Sequence, residues 1–150
     1  MNKPGLKKIA WLVPFAYLLH LVDEYFTGFP NWFSGLFNVD LSLNDFIIIN
    51  SIGFIATIII TLLYSFDKVN SFIIASLGTL FFINGIIHIV SSIYTYTYSP
   101  GTLTGILIYL PLGYFIIKKI FPMLSELQRI GSIIFSAFLQ VIVALIAVSI

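Results

Sequence analysis

An all-α membrane bundle of five transmembrane helices is the fold class this sequence predicts, and three observations predict it. Hydrophobic residues fill 59% of the 150 positions and charged residues only 9%. The apolar residues lie in five long runs, each able to supply the ~20 helical residues that cross a hydrocarbon core. Every Lys and Arg (Lys3, Lys7, Lys8, Lys68, Lys118, Lys119 and Arg129) falls on one side of the plan that those runs define. A chain this poor in polar side chains cannot bury its apolar surface in a water-soluble core, so residues 1–150 read as a single transmembrane domain.

The first run, about Ile9 to Phe26, follows three lysines. A basic start before a short apolar stretch also describes a cleaved signal peptide, but no small-x-small cleavage site follows, and the first helix is expected to stay in the protein. In GFPNWFSGLF, Phe29, Trp32, Phe33, Leu36 and Phe37 recur at helical spacing, the pattern of a short amphipathic helix lying in the interface as an anchor or a lid. The second and third spans read as about Asn44 to Tyr64 and Ser71 to Ile93. In YSPGTLTG, Ser99 reads as a helix cap, Pro100 as the first helical residue and Gly101 as a small neighbour, which starts the fourth span, about Thr102 to Phe121. Its free N-terminal N–H groups are suited to hold an anion. The fifth span takes about Ile130 to Ile150. Pro14 and Pro111 lie inside spans and are expected to kink them, freeing carbonyls that widen a cavity. Gly101 and Gly105 offer a small face for close helix packing. Because Lys and Arg beside spans are retained in the cytoplasm, the N-terminus is expected inside and the C-terminus outside.

The stretch HLVDE breaks the apolar pattern. At about 1.5 Å per residue, His20 and Glu24 lie roughly 17 and 23 Å beyond Ile9, in the outer half of the membrane. Asn84 and His88, in NGIIH, lie roughly 20 and 26 Å along the third span from Ser71, at similar depth. Residues three and four apart are neighbours on a helix, so His20, Asp23 and Glu24 share one face, as do Asn84 and His88. The second span brings Asn50 to comparable depth, followed by Gly53, Thr57 and Thr61. Ionisable groups are costly against lipid, so these faces are expected to meet inside the bundle in one polar cavity opening outward.

Taken together, His20-Leu21-Val22-Asp23-Glu24, the second histidine at His88 and Tyr98-Ser99-Pro100-Gly101 resemble the HXXEE domain family of small prokaryotic membrane proteins. That family's pattern is H-x-x-E-E, a further histidine and Y-x-P-G. Order, spacing and membrane setting agree over roughly residues 12 to 120. Asp23 stands where the family pattern has its first Glu, a carboxylate with a reach one methylene shorter. The resemblance implies a multi-pass protein of a prokaryotic cell membrane and supports these residues as the site, but implies no particular reaction.

Neutral histidine nitrogen and carboxylate oxygen are usual ligands of zinc and of non-haem iron. His20, Glu24 and His88 are therefore the candidate ligands of one divalent metal. Glu24 and Asp23 are candidate catalytic groups, Asp23 as a base or as the orienter of a ligand. Asn84, Asn50, Tyr98 and Gly101 are candidates for substrate contact or support of the ligands. The set lacks the paired E-x-x-H motifs of a di-iron bundle, and its order is not the H-E-x-x-H of zincin proteases. The absence of cysteine excludes disulfides, thiolate metal sites and cysteine nucleophiles, and a net charge of +1 gives no reason to expect nucleic acid.

The expected function is that of a membrane enzyme, a metal-dependent hydrolase or isomerase acting on a lipid-like or amphiphilic small molecule through an outward-facing His/carboxylate site. A ligand-binding or sensor protein, or a proton or ion transporter, uses the same groups. Against transport, few polar residues continue the path to the other face: Thr61, Ser136 and Gln140 are scattered.

Overall fold

A computed structural model describes residues 4–149, and all regular structure among them is helical. Six helices follow one another: α1 Gly5–Thr27, α2 Phe29–Phe37, α3 Leu43–Ser65, α4 Ser71–Thr95, α5 Thr102–Met123 and α6 Glu126–Ser149. All but α2 are long and apolar enough to cross a membrane, so the five expected spans and the short helix after the first are present. Lys3 and Ile150, which entered the expected plan, lie outside the described residues. Phe26, Ile52, Leu107, Ile134 and Leu145 stand more than half exposed on the outside of the bundle. A continuous apolar exterior of this kind is unstable in water and is the ordinary surface of a chain whose solvent is lipid. The protein is a membrane protein.

Local chemistry accounts for the helix ends and breaks. Pro14 has no N–H to give the Ala10 carbonyl, and α1 shows a turn at Trp11 between the stretches Pro4–Ala10 and Leu12–Thr27. The Thr61 hydroxyl of α3 donates to that carbonyl at 3.4 Å. The freed carbonyl therefore ties α1 to α3. Gly28 ends α1 in the left-handed region, φ 81°, its N–H bonding the Glu24 and Tyr25 carbonyls. Ser42 caps α3 by accepting from the Asp45 N–H at 3.2 Å, and Asn70 caps α4 by accepting from the Phe72 N–H at 3.0 Å. At the end of the bundle where α1, α4 and α6 begin lie Lys7, Lys8, Lys68, Lys118, Lys119 and Arg129. There Lys7 pairs with Asp67 at 2.7 Å, and the Arg129 Nε donates to the Phe121 and Leu124 carbonyls.

α4 is the central helix. Half of its most apolar stretch is buried, against 17% in α3 and in α6. Small residues allow this closeness: Gly78 faces Ile116 and Gly113 of α5, Gly85 faces Gly105, and the Ser136 hydroxyl of α6 donates to the Ser76 carbonyl at 2.7 Å. Gly105 thus does pack against a neighbouring backbone, as its small size suggested. Val13, Ala16, Ile74, Phe81, Ile116 and Ile120 form an apolar core toward the basic end, and Phe33, Leu41, Phe46 and Ala147 form a second at the other end. The polar site lies between them.

Within α5, Gly105–Tyr109 winds as a π-helix, the Leu110 N–H reaching five residues back to the Gly105 carbonyl. Pro111 follows at once; without an N–H it cannot make the regular bond to Leu107, and the wider turn absorbs the mismatch. One added residue changes the face that follows. Tyr109 is thereby brought onto His20 and Phe81, stacking with ring centroids 4.1 and 4.0 Å apart.

Candidate metal centre

His20 and Glu24 are one helical turn apart on the inner face of α1, and His88 faces them from α4. All three are buried, at 4%, 7% and 4% exposure. Glu24 Oε1 lies 3.5 Å from His20 Nε2 and 3.4 Å from His88 Nε2. The imidazole rings meet edge to face at 4.9 Å, and the three donor atoms all fall within 4.8 Å of one another. Two bonds of about 2.0–2.1 Å at a tetrahedral angle hold neighbouring ligand atoms roughly 3.3 Å apart, which the two His–Glu edges match. His20 Nε2 is buried and has no hydrogen-bond partner.

The other nitrogen of each ring is held by a hydroxyl from the segment around the start of α5. His20 Nδ1 lies 2.7 Å from Thr104 Oγ1, and His88 Nδ1 lies 3.3 Å from Ser99 Oγ. Thr104 in turn meets Asp23: its hydroxyl donates to Asp23 Oδ2 at 2.8 Å and its N–H donates to the same oxygen at 3.0 Å. A further hydroxyl pair, Ser92 and Thr102 at 2.8 Å, fastens this segment to α4, with the Ser99 N–H donating to Ser92 Oγ at 3.0 Å.

Ser99-Pro100-Gly101-Thr102 forms a type II turn rather than the capped helix start expected of Ser99. The Thr102 N–H bonds the Ser99 carbonyl at 3.0 Å, proline stands second, and Gly101 third with φ 91° and ψ −9°, values that a side chain disfavours. The turn presses Gly101 onto the triad. A Cβ added there would lie 2.8 Å from His88 Cε1, 2.9 Å from His20 Cε1 and 3.0 Å from Glu24 Cγ. Only the smallest residue fits. The expected anion at the start of the fourth span is present, but as the protein's own Asp23 carboxylate on the Thr104 N–H.

His20, Glu24, His88 and Gly101 thus come together, with Asp23 one step behind through Thr104. Two of the remaining candidates, Asn50 and Tyr98, are engaged with other groups. Asn50 accepts from the Tyr17 hydroxyl at 3.1 Å and donates to the Phe46 carbonyl. Tyr98 is half exposed, and its hydroxyl oxygen accepts from the Leu103 N–H at 3.2 Å, satisfying the first turn of α5. Asn84 lies one turn before His88, its Oδ1 buried without a hydrogen-bond partner. The triad is buried: Gly101 lies over one side, and Phe29 of α2 packs against His88 with centroids 6.3 Å apart. The Trp32 Nε1 of α2, donating to Thr97 Oγ1 at 3.3 Å, ties the helix to the loop before α5.

Sequence reasoning missed Thr104 and Tyr109. The hydroxyls of TLT, one turn after the Y-x-P-G stretch, were the available signal for Thr104. None existed for Tyr109, because the π-turn shifts it off the regular helical spacing.

The family described as "Protein of unknown function with HXXEE motif" matches residues 11–116, a stretch that holds every residue of the triad and its hydroxyl supports. No curated protein and no solved structure matches the chain.

Proposed function

The chain belongs to the family of proteins of unknown function with an HXXEE motif, and we propose that the motif builds the centre of a metal-dependent enzyme of the cell membrane that acts on a lipid-like or amphiphilic substrate. His20, Glu24 and His88 would hold one divalent ion, zinc or iron by their donor chemistry. When bound, such an ion polarises an ester or phosphoryl oxygen or lowers the pKa of water. The observation that carries the proposal is the buried, unpartnered His20 Nε2 beside Glu24 Oε1 and His88 Nε2. A buried polar atom without a partner costs about 1–3 kcal/mol, and a cation bound by a bare Nε2 among the three atoms would remove that cost.

The chain's own residues supply the rest. Thr104 and Ser99 hold the Nδ1 edges so that both rings keep their orientation. Tyr109 stacks beneath His20, and the apolar core beyond it seals the site from the basic end, which favours a one-sided site over a conducting path. With the basic end in the cytoplasm, the triad lies toward the outer face. An open groove of about 330 Å³ on the lipid side between α2 and α4, lined by Leu36, Phe37, Val90, Ser91 and Tyr94, is the place we assign to an apolar substrate portion, with Ser91 less than one turn from His88.

Elemental analysis of the purified protein tests the proposal. The expected result is a stoichiometric divalent metal in the wild type that is absent from His20→Ala and His88→Ala variants that remain folded. A wild type without metal after loading refutes it. For the substrate class, metal-loaded protein in mixed-lipid vesicles, followed by lipid mass spectrometry with His88→Ala as the blank, is expected to show a consumed lipid only in the wild type.

A further inference from the structure

We infer that Asp23 and Thr104 form a positioning pair that fixes the tautomer of His20, holding the proton on Nδ1 and turning a bare Nε2 toward Glu24 and His88. The inference deepens the metal-centre reading and rests on it for its purpose, though the tautomer itself is defined without metal.

The argument counts protons. An ionised carboxylate only accepts hydrogen bonds, and a threonine hydroxyl has one proton to donate and lone pairs to accept with. Asp23 Oδ2 already receives the Thr104 N–H at 3.0 Å, so it lies where the hydroxyl proton is drawn, 2.8 Å from Thr104 Oγ1. The Gly101 carbonyl, a competing acceptor, is neutral and lies farther away, at 3.3 Å. With its proton committed to Asp23, the hydroxyl meets His20 Nδ1 at 2.7 Å as an acceptor. Nδ1 therefore carries hydrogen, and a neutral imidazole with hydrogen on Nδ1 has none on Nε2. His20 Nε2, buried without a hydrogen-bond partner 3.5 Å from Glu24 Oε1, is then the bare nitrogen turned toward the other two donors. Carboxylates that orient metal-binding histidines usually touch the ring directly; here a hydroxyl relays the effect, and the shorter Asp leaves room for it. The arrangement assigns work to the position at which this chain departs from H-x-x-E-E.

The test uses full-length protein in detergent micelles, with imidazole ¹⁵N shifts of the metal-free form, competition for Zn²⁺ and thermal denaturation measured on each variant. Wild type and Thr104→Ser are expected to show His20 protonated on Nδ1. Thr104→Val, which lacks the relay, is expected to lose that preference and to bind Zn²⁺ about 10- to 100-fold more weakly. Asp23→Ala gives the sharper outcome: with the carboxylate gone, the hydroxyl proton is no longer drawn away, the hydroxyl turns to donate to Nδ1, and the ring proton moves to Nε2. A change in folding alone moves the melting midpoint but does not exchange the two nitrogen signals. Retention of hydrogen on Nδ1 in both Thr104→Val and Asp23→Ala overturns the inference, as does an Nε2-protonated wild type. A wild type with the predicted tautomer that never binds metal refutes the metal centre and leaves this assignment standing.

Discussion

Replacing Gly101 with alanine separates a strained turn from a roofed site. Two costs follow from the structure. At φ 91° a side chain is disfavoured, by roughly 1–2 kcal/mol for a residue in left-handed backbone. The new methyl would also stand 2.8–3.0 Å from one carbon of each triad residue, where non-bonded carbons prefer about 3.5–4.0 Å. Each neighbour must retreat by roughly half an ångström or more, and overpacking of this kind costs about 1–3 kcal/mol. Together these come to about 2–5 kcal/mol. Gly28→Ala is the matched control, because Gly28 also has positive φ, 81°, yet nothing lies within 4 Å of its added Cβ. It is expected to show only the strain cost, about 1–2 kcal/mol, with metal binding intact. The assay is denaturant unfolding in micelles beside Zn²⁺ competition for wild type and both variants. Gly101→Ala is expected to be the less stable of the two and the only one with weakened metal affinity. Equal losses in both, with wild-type affinity in Gly101→Ala, would refute the placement of Gly101 as the roof of the triad.

Phe29→Ala removes the ring that packs on His88; chelator stripping of loaded metal is expected to run several-fold faster, with stoichiometry unchanged, as measured by release to a chromogenic chelator. Thr61→Val leaves the Ala10 carbonyl freed by Pro14 without its donor, and a loss of about 1 kcal/mol in unfolding free energy is expected, with no change in metal content. The chain has no cysteine, so Thr97→Cys and Lys68→Cys each introduce a single label. Impermeant maleimide applied to intact cells is expected to reach the first and not the second; the opposite result would invert the orientation.

Much of the site was legible because helical spacing and depth are one-dimensional quantities. His20 and Glu24 at i and i+4 share a face whatever surrounds them, and His88 lies at matching depth for any antiparallel arrangement of rigid spans of this length. Lipid penalises ionisable groups outside the bundle, which leaves the interior as their place. The same reasoning failed for Ser99, whose capping signature was real but whose following Pro-Gly pair closes a type II turn instead, sending the hydroxyl to His88. Asn50 and Tyr98 have the right depth and are engaged by near partners, the Tyr17 hydroxyl and the Leu103 N–H.

The amino-acid sequence alone determined the membrane setting, the five spans, the short helix after the first, the common end for the basic residues and the three residues of the cluster, since each follows from local composition and a fixed rise per residue. Tertiary structure decided which atoms of those residues face one another. The π-turn before Pro111 places Tyr109 under His20, the glycine face of α4 sets how near α5 comes, and that nearness brings Thr104 between Asp23 and His20. A relay built on contacts of 2.7 and 2.8 Å depends on helix rotation and interaxial distance. Both are set by side chains packed from other parts of the chain, so no local pattern in the sequence encodes them.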